Sequence, residues 1–314
     1  MLQVSQLSFQ YFNAKETTLE NLSFQLEKGK NLAIIGESGC GKSTLLQLIY
    51  GLYDVDAGEI IWNNQKVTGP KFNLVPGMPT MKYLAQDFDL MPYITVAENI
   101  GKYLSNFFPI EKQNRINELL EVVEMTEFAQ VKAKYLSGGQ MQRVALAKVL
   151  AKKPELLLLD EPFSHIDNFR KNSLRRRIFS YLKEKQITCI VATHDVNDSL
   201  SFADEILVMK NGKMLQKDTA YNVYNQKPTY YIASLFDEVS EIEVNGSIQL
   251  FYPHEIELVE KSNFEVVVKK SYFKGNYYLI ETILLANQKT IFFNAKDVLQ
   301  YNKTVCIQPK TNSK

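Results

Sequence analysis

The chain has 314 residues, 45% hydrophobic and 23% charged, which is ordinary for a soluble globular protein and allows one large or two modest domains. A net charge of +1 argues against a dominant nucleic-acid footprint. Three widely spaced cysteines, Cys40, Cys189 and Cys306, imply neither a disulfide frame nor a metal-ligand pair.

The first residues lack a basic segment followed by an apolar run, so no secretory signal is expected. The longest apolar stretches, such as residues 156–159, fall far short of the ~20 residues that span a bilayer. The expectation is a cytosolic chain whose membrane business is done through partners. Leu2, Val4, Leu7 and Phe9 alternate with polar residues, as do Leu22, Phe24 and Leu26, predicting two half-buried strands with Tyr11 at the end of the first. Residues 32–35 read as an apolar strand and 43–49 as a buried helix. Between them Gly36, Glu37, Ser38, Gly39, Cys40, Gly41, Lys42, Ser43 and Thr44 fit G-x-x-x-x-G-K-[ST] in the strand–loop–helix context that motif needs. Its glycines let consecutive N–H groups turn toward anionic oxygens, and the helix N-terminus adds positive character. Lys42 would reach the β- and γ-phosphates, and the Ser43 hydroxyl would ligate Mg²⁺. Cys40 reads as a neutral loop residue or an oxidisable thiol, and Cys189 as a small buried hydrophobe.

Residues 59–62 and 65–67 form a further strand pair across Asn63-Asn64, a dipeptide that tolerates positive φ. The pattern then turns helical, with 96–107, the face Ile116, Leu119, Leu120 and Val123, and 141–150 making a helical insertion over roughly 91–150. Strands at 156–160 and 187–193 flank a helix with the face Leu174, Ile178, Tyr181 and Leu182. Residues 206–209 with Asn211-Gly212 read as a hairpin. Such alternation implies a mainly parallel sheet covered by helices on both faces. The basic run Arg170, Lys171, Arg175, Arg176, Arg177, Lys183 and Lys185 reads as a solvated helix face. Residues 226–238 read as a linker, and 239–314 as short strands of a small barrel. The alternating Lys269, Lys270, Tyr272, Phe273 and Lys274 are read as strand core rather than as a nucleic-acid surface.

Asp160 ends its apolar strand where a carboxylate can reach the Mg²⁺ region, and Glu161, one residue on, can polarise an attacking water. Leu136-Ser137-Gly138-Gly139-Gln140, followed by Gln142-Arg143, then offers a hydroxyl, glycine N–H groups and a helix N-terminus: a second anion site without a lysine.

That run resembles the signature of ATP-binding-cassette ATPases. The resemblance implies an α/β fold: a P-loop NTPase (RecA-like) core with an antiparallel β subdomain and a helical subdomain over 1–225, plus a small C-terminal all-β barrel-like domain. It implies that Ser137, Gly138, Gly139 and Gln140 complete the site of a second copy, so that a head-to-tail dimer sandwiches two ATP molecules with Mg²⁺. It assigns Gln86 to the glutamine that touches metal and water, His194 to the γ-phosphate histidine, and Asp167 to the acid of the loop before the next helix, where Ile166 replaces the usual Leu. It gives Tyr11 to adenine stacking, with Phe12 as the competing aromatic. His165 has no assigned role. The metal would then rest on Ser43, Gln86 and Asp160, and catalysis on Glu161, His194 and Gln86.

The tail, with Val223-Tyr224, Pro228, Ile232-Ala233 and residues 252–258, looks like that of importer ATPases of the maltose, polyamine and ferric-iron type, which carry a regulatory barrel. It is shorter than theirs, and Tyr252 stands where an Arg is typical. The resemblance thus implies an ATPase subunit on the cytoplasmic face of the membrane, powering import through separate permease subunits, served indirectly by a substrate-binding protein and binding no nucleic acid. The competing readings are an export ATPase and a soluble ATPase of DNA repair or translation; the lack of repeats or heptads opposes the second.

Overall fold

The alternating strands at the N-terminus do pair. In the computed structural model, which describes residues 1–12 and 14–310, β1 (Leu2–Phe9) and β2 (Leu19–Leu26) are antiparallel, with Leu2 opposite Leu26 and Val4 opposite Phe24. Strand β3 (Asn31–Ile35) is fully buried and leads through the glycine-rich loop into α1 (Lys42–Tyr50). β4 (Ala57–Trp62) and β5 (Gln65–Lys66) then complete a four-stranded antiparallel sheet of order β2-β1-β4-β5. Asn63 and Asn64 both take positive φ between them, as the dipeptide predicts.

β6 (Met81–Leu84) precedes the helical segment, which contains α2 (Val96–Gly101), α3 (Pro109–Val122) and α4 (Gly138–Leu150). The helix expected over 96–107 stops early. It ends at Gly101, where a Cβ would lie 2.6 Å from Ile116 Cδ1, and Pro109 opens a new helix. α4 starts three residues before the expected 141, because Ser137 and Gln140 form a reciprocal capping box.

β7 (Leu156–Asp160), α5 (Asn168–Glu184), β8 (Thr188–Ala192), α6 (Val196–Phe202), β9 (Glu205–Lys210) and β10 (Lys213–Thr219) follow, and then α7 (Ala220–Gln226). The second sheet has the order β10-β9-β3-β8-β7-β6, parallel except for the hairpin strand β10. β3, β7 and β8 are buried along their whole length, which is why they read as continuous apolar runs. Their carboxyl ends all open on one edge of the sheet, where such folds place ligands.

The chain divides into two compact units, Met1–Val223 and Tyr224–Lys314. Residues 226–238, read as a linker, fall in the second unit and include α8 (Tyr230–Ser234), capped by Thr229, with Ile232 and Ala233 buried. β11 (Ser240–Val244) and β12 (Ser247–Phe251) make a hairpin across Asn245-Gly246. β13 (Ile256–Val259), β14 (Phe264–Phe273), β15 (Tyr278–Leu284), β16 (Thr290–Ala295) and β17 (Thr304–Pro309) form an antiparallel sheet of order β13-β17-β14-β15-β16. Its core includes Val266, Val268, Ile280, Ile291, Phe293 and Ile307. Tyr272 and Phe273 are not core: Phe273 is 67% exposed, and the Tyr272 hydroxyl donates to Glu281 at 2.7 Å.

Candidate active site

The glycine-rich loop owes its shape to close backbone approach. Gly36 has φ 152°, and a Cβ there would lie 2.3 Å from the Met209 carbonyl oxygen of β9. Gly41 has φ 102° and immediately precedes α1, so the helix N-terminus opens on the loop. Lys42 is 9% exposed, and its Nζ donates to the carbonyls of Gly36 at 2.7 Å and Glu37 at 2.9 Å. The ammonium is thereby held across the loop it serves. Cys40 is buried, and burial, opposed by Lys42, raises its thiol above the ordinary range, which supports the neutral reading.

Ser43 and Asp160 meet at the ends of neighbouring elements, with Ser43 Oγ donating to Asp160 Oδ1 at 3.0 Å. The second carboxylate oxygen accepts from the Tyr83 hydroxyl at 3.3 Å. Burial raises Asp160 above the ordinary carboxylate range, with the adjacent Glu161 adding to the effect, while the Ser43 and Tyr83 hydrogen bonds and Lys42 oppose it. Gln86, expected beside this metal position, is exposed two residues beyond β6; from that strand it is Tyr83 that touches the carboxylate. The donors present, a hydroxyl and a carboxylate, are hard oxygens suited to Mg²⁺. Among the described residues no group of three His, Cys, Asp or Glu could hold a metal unaided, so any ion here needs oxygens from its ligand as well.

Glu161 has φ 49°, a left-handed conformation that is uncommon outside glycine. Its N–H donates to the Ala192 carbonyl at 2.9 Å, which ties it to β8. His194, two residues past β8, places Nδ1 2.9 and 2.8 Å from the two Glu161 carboxylate oxygens. Tyr11 half-buries its ring against Phe9 and Tyr53, and its hydroxyl donates to Gln47 of α1 at 3.2 Å and lies 3.1 Å from Thr44 Oγ1. Phe12 is fully exposed.

Ser137 and Gln140 are engaged with each other: the Ser137 N–H donates to Gln140 Oε1 at 2.8 Å, and the Gln140 N–H to Ser137 Oγ at 3.3 Å. Gly138 faces open space, whereas a Cβ on Gly139 would lie 2.8 Å from the His165 carbonyl oxygen. Asp167 caps α5 through the Arg170 N–H at 3.0 Å.

One residue of the basic run contradicts its solvated reading. Arg175 is 2% exposed, with Nε 2.5 Å from Asp198 Oδ1 and Nη2 on Asp195, while its guanidinium lies over the Phe163 ring. It faces inward because it stands three residues before Ile178 and seven before Leu182, on the same buried face of α5. Asp195 follows His194, and its N–H donates to Thr193 Oγ1 at 3.0 Å, so Arg175 braces the histidine loop. Tyr83 and Arg175 are the site-building residues that motif reading passes over. For Arg175 the available signal was its i, i+3, i+7 spacing to Ile178 and Leu182 on an apolar face.

Among the described residues no helix is long and apolar enough to cross a membrane. The sequence profile of the ABC transporter family matches residues 19–164. The chain is 36% identical over 239 residues to a Fe(3+) ions import ATP-binding protein of Pectobacterium atrosepticum, covering 76% of this chain and 68% of that one. It is 38% identical to the corresponding protein of Haemophilus influenzae, spanning 61% of that relative's length. A sulfate/thiosulfate import ATP-binding protein of Synechocystis is 30% identical, with 94% of this chain and 90% of that one covered. Among solved structures, a dimeric ATP-binding cassette in a post-hydrolysis state with ADP and Pi superposes with a TM-score of 0.62 at 29% identity, over 70% of this chain and 99% of that one.

Proposed function

This chain belongs to the ATP-binding-cassette transporter family of ATPases, and we propose that it powers solute import by hydrolysing ATP as a homodimer beneath separate permease subunits, at the cytoplasmic face of the membrane. The observation that carries the reading is the pairing of Glu161 with His194 at the carboxyl ends of β7 and β8, beside the strand that ends in the phosphate loop. The import direction is supported by the all-β second unit and by the names of the relatives.

In this reading the N–H groups of residues 36–44 and the ammonium of Lys42 hold the β- and γ-phosphates. Tyr11 supplies the aromatic face for the adenine, supported by its tether to α1. Ser43 and Asp160 would hold Mg²⁺ together with phosphate oxygens, and the ion supplies charge neutralisation on the transferred phosphoryl group. Glu161 takes the proton of the attacking water. His194, anchored on Glu161, fixes the carboxylate and presents its ring toward the γ-phosphate. Gln86, exposed in the loop beyond β6, would touch the metal and the attacking water and relay to the permease side. Ser137, Gly138, Gly139 and Gln140 close over the nucleotide of the second copy, and Asp167 sets the helix that flanks that interface. The cargo is selected by the permease and a binding protein, because the nucleotide machinery never meets it.

The test is Glu161→Gln in the purified full-length chain. It should bind ATP as the native protein does, accumulate as an ATP-induced dimer on size exclusion, and turn over about 10²- to 10⁴-fold more slowly. Near-native turnover would sink the assignment of Glu161.

A further inference from the structure

Gln142 is 3% exposed on α4, five residues beyond the cap at Ser137, and its side chain turns to the loop that carries Glu161. Its carboxamide is used at both ends. Nε2 donates to the Glu161 carbonyl at 2.9 Å and toward Ser164 Oγ at 3.3 Å, while Oε1 accepts from the His165 N–H at 3.0 Å. The Glu161 carbonyl also accepts from the Ser164 hydroxyl at 3.0 Å, and the Glu161 N–H is fixed on Ala192. Both peptide groups flanking this left-handed residue are therefore pinned, which fixes the direction in which its side chain leaves the backbone toward His194.

Gln142 also joins two places that serve different nucleotides. α4 begins at the signature residues, which act on a second copy's ATP, while Glu161 acts on the chain's own. Gly139 brings the start of α4 against the His165 carbonyl, so the helix touches this loop at two points. The His165 ring in turn stands edge-on to Phe88, at 5.3 Å and 81°, two residues past Gln86. We propose that Gln142 is a positioning residue that locks Glu161 to the signature helix, so that closure of the signature on a partner's nucleotide sets the geometry of the chain's own catalytic base. The inference rests on the nucleotide-site reading above.

The test compares Gln142→Met, similar in length but without an amide, and Gln142→Asn, too short to reach both bonds, in the full-length chain. Each should lose about 100-fold in kcat, the size of effect expected from displacing a catalytic group by about 1 Å. Affinity for a fluorescent ATP analogue and the melting midpoint should stay near native. Combined with Glu161→Gln, each should still form the ATP-induced dimer: closure kept, chemistry uncoupled from it. Turnover within about threefold of native in both variants overturns the proposal. So does a loss that only follows lost folding or lost nucleotide binding in both, or loss of the dimer while nucleotide binding is kept. A native chain that hydrolyses no ATP, or whose turnover survives Lys42→Ala, fails the nucleotide-site reading itself. Turnover lost in Lys42→Ala but kept in Gln142→Met fails this inference alone.

Discussion

The two units bury different kinds of side chain. In Met1–Val223 the residues Lys42, Arg115, Arg143, Lys148, Asp160, Arg175 and Asp198 are each no more than 9% exposed. In Tyr224–Lys314 one ion pair, Lys227 with Glu255, is nearly as buried, at 9% and 16% side-chain exposure, and the fully buried polar side chains include Ser240 and Thr282. Both are hydroxyls satisfied locally: Thr282 donates to the Ile291 carbonyl at 2.8 Å, and Ser240 Oγ accepts from the Phe292 N–H at 2.9 Å. Burying a charge is costly unless partners surround it, so each buried ion in the first unit fixes its neighbours in place. Arg115 shows how: Nε and Nη2 donate to the carbonyls of Ala151 and Leu150, and Nη1 to Glu118. Such a core holds charged groups at fixed angles, which hydrolysis needs. The sheet core of the second unit is apolar, and its charged pair stands outside that cluster, with Lys227 over the Tyr252 ring.

If that contrast is right, the largest stability effect belongs to Arg175. Arg175→Ala leaves the buried Asp198 without its guanidinium and Asp195 with Lys171 alone, at 4.0 Å, and should cost about 3–5 kcal/mol in the first unit's denaturant transition. Arg175→Lys, which cannot reach both carboxylates in the same way, should recover part of it. A loss below about 1 kcal/mol in the alanine variant would mean that the buried ions of this unit are no more binding than surface pairs. In the second unit Ile280, fully buried in β15, gives the matching probe. Ile280→Ala should cost about 2–5 kcal/mol through lost burial and the cavity it leaves. The loss should appear in that unit's transition, with kcat for ATP unchanged. A drop in kcat with the first unit's transition intact would show that the second unit's packing reaches the chemistry.

Legibility followed the same division. Where function demands residue types at fixed spacing, as in residues 36–44, 137–140, 160–161 and 194, the sequence names the chemistry and the fold brings Ser43 to Asp160 and Glu161 to His194. Side chains that act through backbone groups, such as Gln142 on the Glu161 carbonyl, leave no such trace, because any peptide can be the partner. Arg175 hid within a basic run, since charge patterning cannot tell which cation of several turns inward. In the second unit the short strands and the Asn245-Gly246 turn are legible in the pattern, but the place of β17 between β13 and β14 is not, because it depends on pairing distant in sequence.

The smallest expected effect lies at the rim of the first unit, where a partly exposed pair should count for less than a buried one. Asp204 accepts from the Asn31 N–H at 2.7 Å and from Lys183 Nζ at 2.6 Å, and its side chain is 25% exposed. Burial pushes its carboxyl up, but the Lys183 and Asn31 hydrogen bonds outweigh that, and the net direction is below the ordinary carboxylate range. A folded pKa below the unfolded one means the folded state holds the proton less tightly. Its stabilisation is thus complete above the ordinary Asp range, near 3.9, and is lost as pH falls through the folded value. Asp204→Asn keeps an oxygen for Asn31 and removes the charge facing Lys183, so it should cost about 1 kcal/mol at pH 7. The gap should close as the native protein is acidified below the ordinary Asp range, read from urea midpoints across that series. If it stays open at the acid end, the cost lies in how the amide packs beside Asn31 and not in the ion pair.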